Sequence, residues 1–129
     1  MIIIFFRLFY IHSSVGLSTG DLISMGGNND LKWITDIWLL KAEDASWSKI
    51  GDLLAPMIYH STLRIGSSVY VIPGRTDIGS DVEHPIQRID FDGLEIVDIE
   101  IIGYRTQDKI TGFYRPTVMQ VHSDFCLSK

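Results

Sequence analysis

The feature that most constrains this chain is that it repeats itself at a period near 48 residues. The stretch LISMGGNNDLKWITDIW (22–38) returns in worn form as SSVYVIPGRTDIG (67–79). His12-Ser13 comes back as His60-Ser61, an offset of 60 − 12 = 48, and Gly26-Gly27 comes back as Pro73-Gly74, 47 on. Leu40 and Trp47 are answered by Ile89 and Ile96, each 49 on, and WSKI ending at Ile50 finds its counterpart in IVDI ending at Ile99. Four landmarks that keep one order and nearly one offset define a unit built to stack on its own copies. A third copy opens in GFYRPTVMQVHSDFCLSK, where the chain reaches Lys129.

Inside each unit the apolar runs are short and punctuated. They cover 34–40, 62–65, 68–72, 85–91, 94–102 and 117–121, separated by turn-formers such as GGNND, PGRTDIG and DFDG. KAEDASWSKIGDLL has a partial helical spacing, but Trp47 sits in strand-like surroundings and Pro56 follows closely. The expectation is an all-β protein. Glycines at the end of a strand permit positive φ and close backbone approach. Trp47 is large enough to fill a wedge between twisted sheets, which Ile96 would fill less completely. Pro73 lacks an amide proton, so its strand must end or face an edge there.

These residues resemble the kelch-repeat family. The matching motifs are LISMGG and VYVIPG for the glycine doublet, DIWLLKAEDASW for the third and fourth strands, and APMIYHST for the start of the next unit. The resemblance implies an incomplete β-propeller of consecutive four-stranded antiparallel blades. It divides the chain into an apolar N-terminal segment (1–6), blade 1 (7–50), a degenerate blade 2 (51–102) and the start of a third (103–129). Its repeat positions are Gly26, Gly27, Trp38, Leu40, Trp47, His60, Tyr70, Gly74, Ile89 and Ile96. Such propellers often present loops to protein partners. The function expected is therefore a non-enzymatic protein-interaction module without cofactor. The alternatives are a fragment of a propeller enzyme, a glycosidase or oxidase with its active site on missing blades, or a truncated product without stable function. A ring normally closes with 4–8 blades, so two units point to a fragment or truncated product, ahead of self-association through exposed blade edges.

Candidate sites on this reading lie on the loops after the doublets, 28–35 and 74–84, because a rigid scaffold concentrates binding residues on its loops. Asn28, Asn29, Trp33, Arg75 and Asp77 are the binding candidates, with Trp33 and Arg75 first because Trp and Arg dominate interface hot spots. No catalytic residue is assigned. Asp81, Glu83, Asp90, Asp92, Glu95, Asp98 and Glu100 alternate with apolar residues as a solvated strand face would, and nothing fixes a glycosidase pair among them. His60 with Ser13 and Ser61 lacks a nucleophile elbow. MGGNND has glycines but no P-loop Lys and no following helix. His12, His60, His84 and His122 are spread over the units, and the single Cys126 excludes an intramolecular disulfide and a Cys-rich zinc motif, so no metal is expected.

Charge bears on partners. The chain has a net charge of −5 with acidic and basic residues mixed and no basic run, so no nucleic-acid surface is expected. MIIIFFRLFYI is interrupted by Arg7 and is too short for a span. No membrane association is expected. The compartment is open, with the cytoplasm favoured over secretion on the lone cysteine.

Overall fold

The computed structural model describes residues 13–28, 32–57, 60–74 and 84–105. They form two four-stranded antiparallel sheets, each with its strands in sequence order. The first holds β1 (Ser13–Gly16), β2 (Leu22–Met25), β3 (Asp36–Lys41) and β4 (Ser46–Asp52). The second holds β5 (Ser61–Ile65), β6 (Ser68–Ile72), β7 (His84–Asp92) and β8 (Glu95–Arg105). The described residues contain no helix. KAEDASWSKIGDLL is the end of β3, a turn at 42–45 and β4; Ala45 takes a φ of 52° there, with Asp44 accepting hydrogen bonds from the Ser46 amide and hydroxyl. The all-β expectation holds.

Alternation fixes which face each sheet buries. Register sets Ile23 opposite Leu39 and Met25 opposite Ile37 in the first sheet, and Val69 opposite Ile89 in the second. All six are buried, and with Phe91 they join one core between the sheets, closed at one end by Leu53 and Met57 from the crossing segment. Each such side chain contributes roughly 1.5–3 kcal/mol, an upper figure because the unfolded chain is itself partly compact. The exposed ion pairs, Lys49 with Asp36 and Asp52 at 3.2 and 3.1 Å, are screened by solvent and contribute little. Packing holds the sheets together.

The sheets stack in the same sense, β1 against β5 and β4 touching β8. Repeat-related residues consequently lie on opposite sides of the shared core. Ile89 is fully buried and Ile96 packs inward, its Cδ1 2.9 Å from the place a Gly51 Cβ would occupy. Leu40 and Trp47 point the other way, in a cross-strand row with Leu22, all three half-buried. Trp47 therefore stands outside the wedge between these two sheets, which aliphatic side chains and Phe91 fill. Met25 lies in the core, while Ile72, its counterpart 47 residues on, alternates with buried Val71 and faces outward. A translation along the stack, rather than a face-to-face mirror, relates the two units.

At the turn end, Asp21 accepts from the Thr19 hydroxyl at 2.6 Å and from the Ala42 amide at 2.9 Å, tying the β1–β2 turn to the β3–β4 turn. Those bonds hold its carboxyl below the ordinary value of 3.8, the Thr19 bond contributing most. Asp44 is likewise lowered by the Ser46 hydroxyl and amide. A depressed carboxylate contributes its stability above the unfolded value and loses it as pH falls through the lower folded one. Protection of the Ala42 and Ser46 amides against hydrogen exchange, corrected for intrinsic rate, should hold from about pH 6 to about pH 4 and fall below that. Steady protection down to about pH 2 would remove Asp21 and Asp44 from the turns.

Candidate functional site

The glycine doublet ends β2 and opens the loop that sequence reading singled out. Gly26 and Gly27 have φ of +65° and +101°, the left-handed region that favours glycine. This lets the chain double back: the Gly26 amide donates to the Asp36 carbonyl at 3.0 Å, and Ile34 donates to Gly27 at 2.9 Å. Asn28 and Trp33 then bridge the loop, both half-buried, while Ile34 beneath them is 5% exposed. Two of the five loop candidates thus share one hairpin. Asn29, Arg75 and Asp77 lie outside the described residues, as do the 75–83 part of the second loop, His12, His122 and residues 106–129 of the expected third unit, whose first residues, 103–105, belong to β8.

The same doublet anchors the second sheet. Gly27 donates to the Met57 carbonyl at 2.8 Å, and the His60 ring rests on Gly26 with Nε2 2.9 Å from the Met25 carbonyl. A carbonyl only accepts, so Nε2 carries the proton. His60 is 1% exposed, and with Nε2 committed to a backbone bond it is a fastening between sheets and not a general base for Ser61. Thr62 adds a bond from its hydroxyl to the Ser14 carbonyl at 3.2 Å. Among the described residues no group of three or more His, Cys, Asp or Glu could hold a metal, and no helix is long and apolar enough to cross a membrane.

The acidic residues of the second sheet divide into two sets. Asp90 and Glu100 both meet Arg88, at 3.2 and 2.8 Å, and Asp90 also accepts from Ser68 at 2.6 Å. Asp90's charge is the largest reason the Arg88 guanidinium is held above its ordinary value. Asp92, Glu95 and Asp98 are exposed. Asp92 and Glu95 stand at a cleft of about 640 Å³ that opens between the sheets at the turn end, over Leu39, Ile50, Leu94 and Ile96. It is broad and open to solvent. Sequence reading missed it, because no local pattern says where two stacked sheets part.

Sequence reading also missed Gln87. Its side chain is fully buried, accepting from the Leu54 amide at 2.7 Å and donating to the Ala55 carbonyl at 3.1 Å. It clamps the chain that crosses from β4 to β5. The parity of Gln87 with Ile89 and Phe91 was the available signal.

Fold and site together define an all-β chain of same-sense stacked sheets with a loop and a cleft at opposite ends. No protein-family model matches it. The chain is similar to tRNA wybutosine-synthesizing protein 4 of Gibberella zeae (strain ATCC MYA-4620 / CBS 123657 / FGSC 9075 / NRRL 31084 / PH-1), 36% identical over 84 residues. The match covers 59% of this chain and 8% of that protein. It corrects the expectation of a non-enzymatic protein, since the relative is named for synthesising a modified tRNA constituent. The match spans only 8% of that protein, so the lack of an acid–base or nucleophile pair in these residues did not decide between an enzyme and a non-enzymatic protein.

Proposed function

We propose that this chain is part of an enzyme of tRNA wybutosine synthesis, in which its stacked sheets form a scaffold and its loops an interaction surface. The observation that carries this is the 84-residue match at 36% identity. On this reading the units are kelch-like blades, 7–50 and 51–102 with a third begun at 103–129, supported by the identical strand orders and the same-sense stacking. The reaction belongs to the longer protein and its reacting groups lie outside these residues.

The surface around Asn28 and Trp33 takes a protein segment rather than tRNA. An interface of this kind is built on a partly buried aromatic anchor, and Trp33 is one, pinned by its bridge to Asn28. Phosphate contacts need clustered cations, and a chain of net charge −5 without a basic run offers none. Membrane contact is likewise not part of this reading. The test is genetic and chemical: cells deprived of the coding sequence should lose wybutosine from their tRNA, read by mass spectrometry of nucleosides. Unchanged wybutosine would overturn the proposal.

A further inference from the structure

We propose that Asp92 is a site of spontaneous isomerisation to isoaspartate, through a cyclic imide closed by the Gly93 nitrogen. Asp92-Gly93 is the single aspartyl-glycyl pair in the sequence, and it stands where β7 turns into β8. Gly93 takes a φ of +62° at the first position of a two-residue hairpin loop, a place that favours glycine. Asp92 is the last residue of β7 to pair, opposite Glu95.

Ring closure needs an uncommitted carboxyl, an uncommitted amide nitrogen on the next residue, and room around both. The Asp92 side chain is exposed, and among the described residues its carboxyl holds no cation and accepts no hydrogen bond. The Gly93 amide donates to no carbonyl in that set, and nothing lies within 4 Å of the place its Cβ would occupy. Each other aspartate of the described residues lacks one of these conditions. Asp21 and Asp44 accept bonds at their turns, and Asp36, Asp52 and Asp90 are in ion pairs. Asp98 is exposed, but it lies within β8 and is followed by the β-branched Ile99, which crowds the nitrogen.

The steps balance with water as the only co-reactant. The Gly93 nitrogen attacks Cγ of the protonated Asp92 carboxyl. The N–Cγ bond forms, the C–OH bond breaks, and the hydroxyl leaves with the amide proton as water. Water then opens the imide at either carbonyl. Opening at Cγ restores aspartate. Opening at the backbone carbonyl breaks its bond to nitrogen, routes the main chain through Cγ and leaves that carbonyl as the free carboxylate. The main chain is then longer by one methylene at the hairpin end, so the pairing of Asp92 with Glu95 is lost, because turn geometry sets the register. Asp92, Leu94 and Glu95 stand at the cleft between the sheets, so the same change reshapes one of its walls.

Trypsin releases residues 89–105 as one peptide carrying Asp90, Asp92 and Asp98, so two aspartates serve as internal controls. The native full chain, held at neutral pH and body temperature for some weeks and then digested, should yield the isoaspartyl form at 92 and at neither 90 nor 98. Mass spectrometry with electron-transfer fragmentation reads the position. Asp92→Asn keeps the turn and makes ammonia the leaving group in place of water, so conversion at 92 should be severalfold faster. Gly93→Ala should slow it severalfold. Absence of conversion at 92 in the folded chain, while the same peptide cut free converts, would overturn the proposal, because the hairpin would then be holding the two groups apart. Equal conversion at 90 or 98 would overturn it too, as would an Asp92→Asn chain that converts no faster or a Gly93→Ala chain that converts no slower.

Discussion

Gly26→Ala should destabilise the chain by about 2–6 kcal/mol, read as a fall in the urea midpoint. Two independent effects add. A φ of +65° disfavours any side chain by about 1–3 kcal/mol. The new Cβ would meet the His60 Cε1 at 2.8 Å and the Met57 carbonyl oxygen at 2.9 Å, and overpacking of a tight core costs about 1–3 kcal/mol. Against a total stability of roughly 5–15 kcal/mol for a domain, this one methyl group removes a large share. Combining it with His60→Ala should destabilise less than the two single changes added, because the ring contact disappears while the φ and the Met57 contact remain. Strict additivity would mean that the ring does not rest on Gly26.

Gln87→Leu should cost about 1–3 kcal/mol in the same measurement. The volume is nearly kept, so the effect is polar: the Leu54 amide and the Ala55 carbonyl lose the partner that binds both, and because Leu54 is exposed and water can reach these groups, about 0.5–1.5 kcal/mol goes with each bond. Arg88→Ala, on the neighbouring residue, sets the contrast. Arg88 is 31% exposed and its Glu100 partner 56%, so solvent screens the pair and its loss should cost clearly less than the change at 87. Equal effects at 87 and 88 would contradict the assignment of Gln87 as the clamp on the crossing chain.

Much of the fold is legible in the sequence because its devices are local. Short alternating runs place β3, β5, β6 and β7 within a residue or two, and Asp92-Gly93 marks the turn into β8 through a glycine at φ +62°. The period near 48 is legible for a different reason, since a unit that packs on its copies must keep the same residues at the same places. What the repeat does not convey is which way each face looks. Leu40 and Ile89 are repeat partners, yet one faces away from the core and the other into it, which follows only once the sheets are known to stack in the same sense. The bulges after Ile86 and Asp90 leave no local mark either, because an extra residue in a strand looks like any other.

The site was less legible than the fold. Gly26-Gly27 and His60 were visible as repeat positions, but their meeting across the sheet junction depends on Met57 and the crossing chain. Gln87 and the cleft over Leu39 and Ile96 arise between units and have no one-dimensional signature. Function was the least legible of all, since a match to 8% of a longer protein does not say where that protein's reacting groups lie.

The measurement that tests the account most directly is the wybutosine content of tRNA from cells lacking the coding sequence, with the intact sequence and a Gly26→Ala form returned separately. The account predicts loss of wybutosine, full restoration by the intact form, and weaker restoration by the form with the damaged sheet junction. Wybutosine at its normal level in the deprived cells would contradict it.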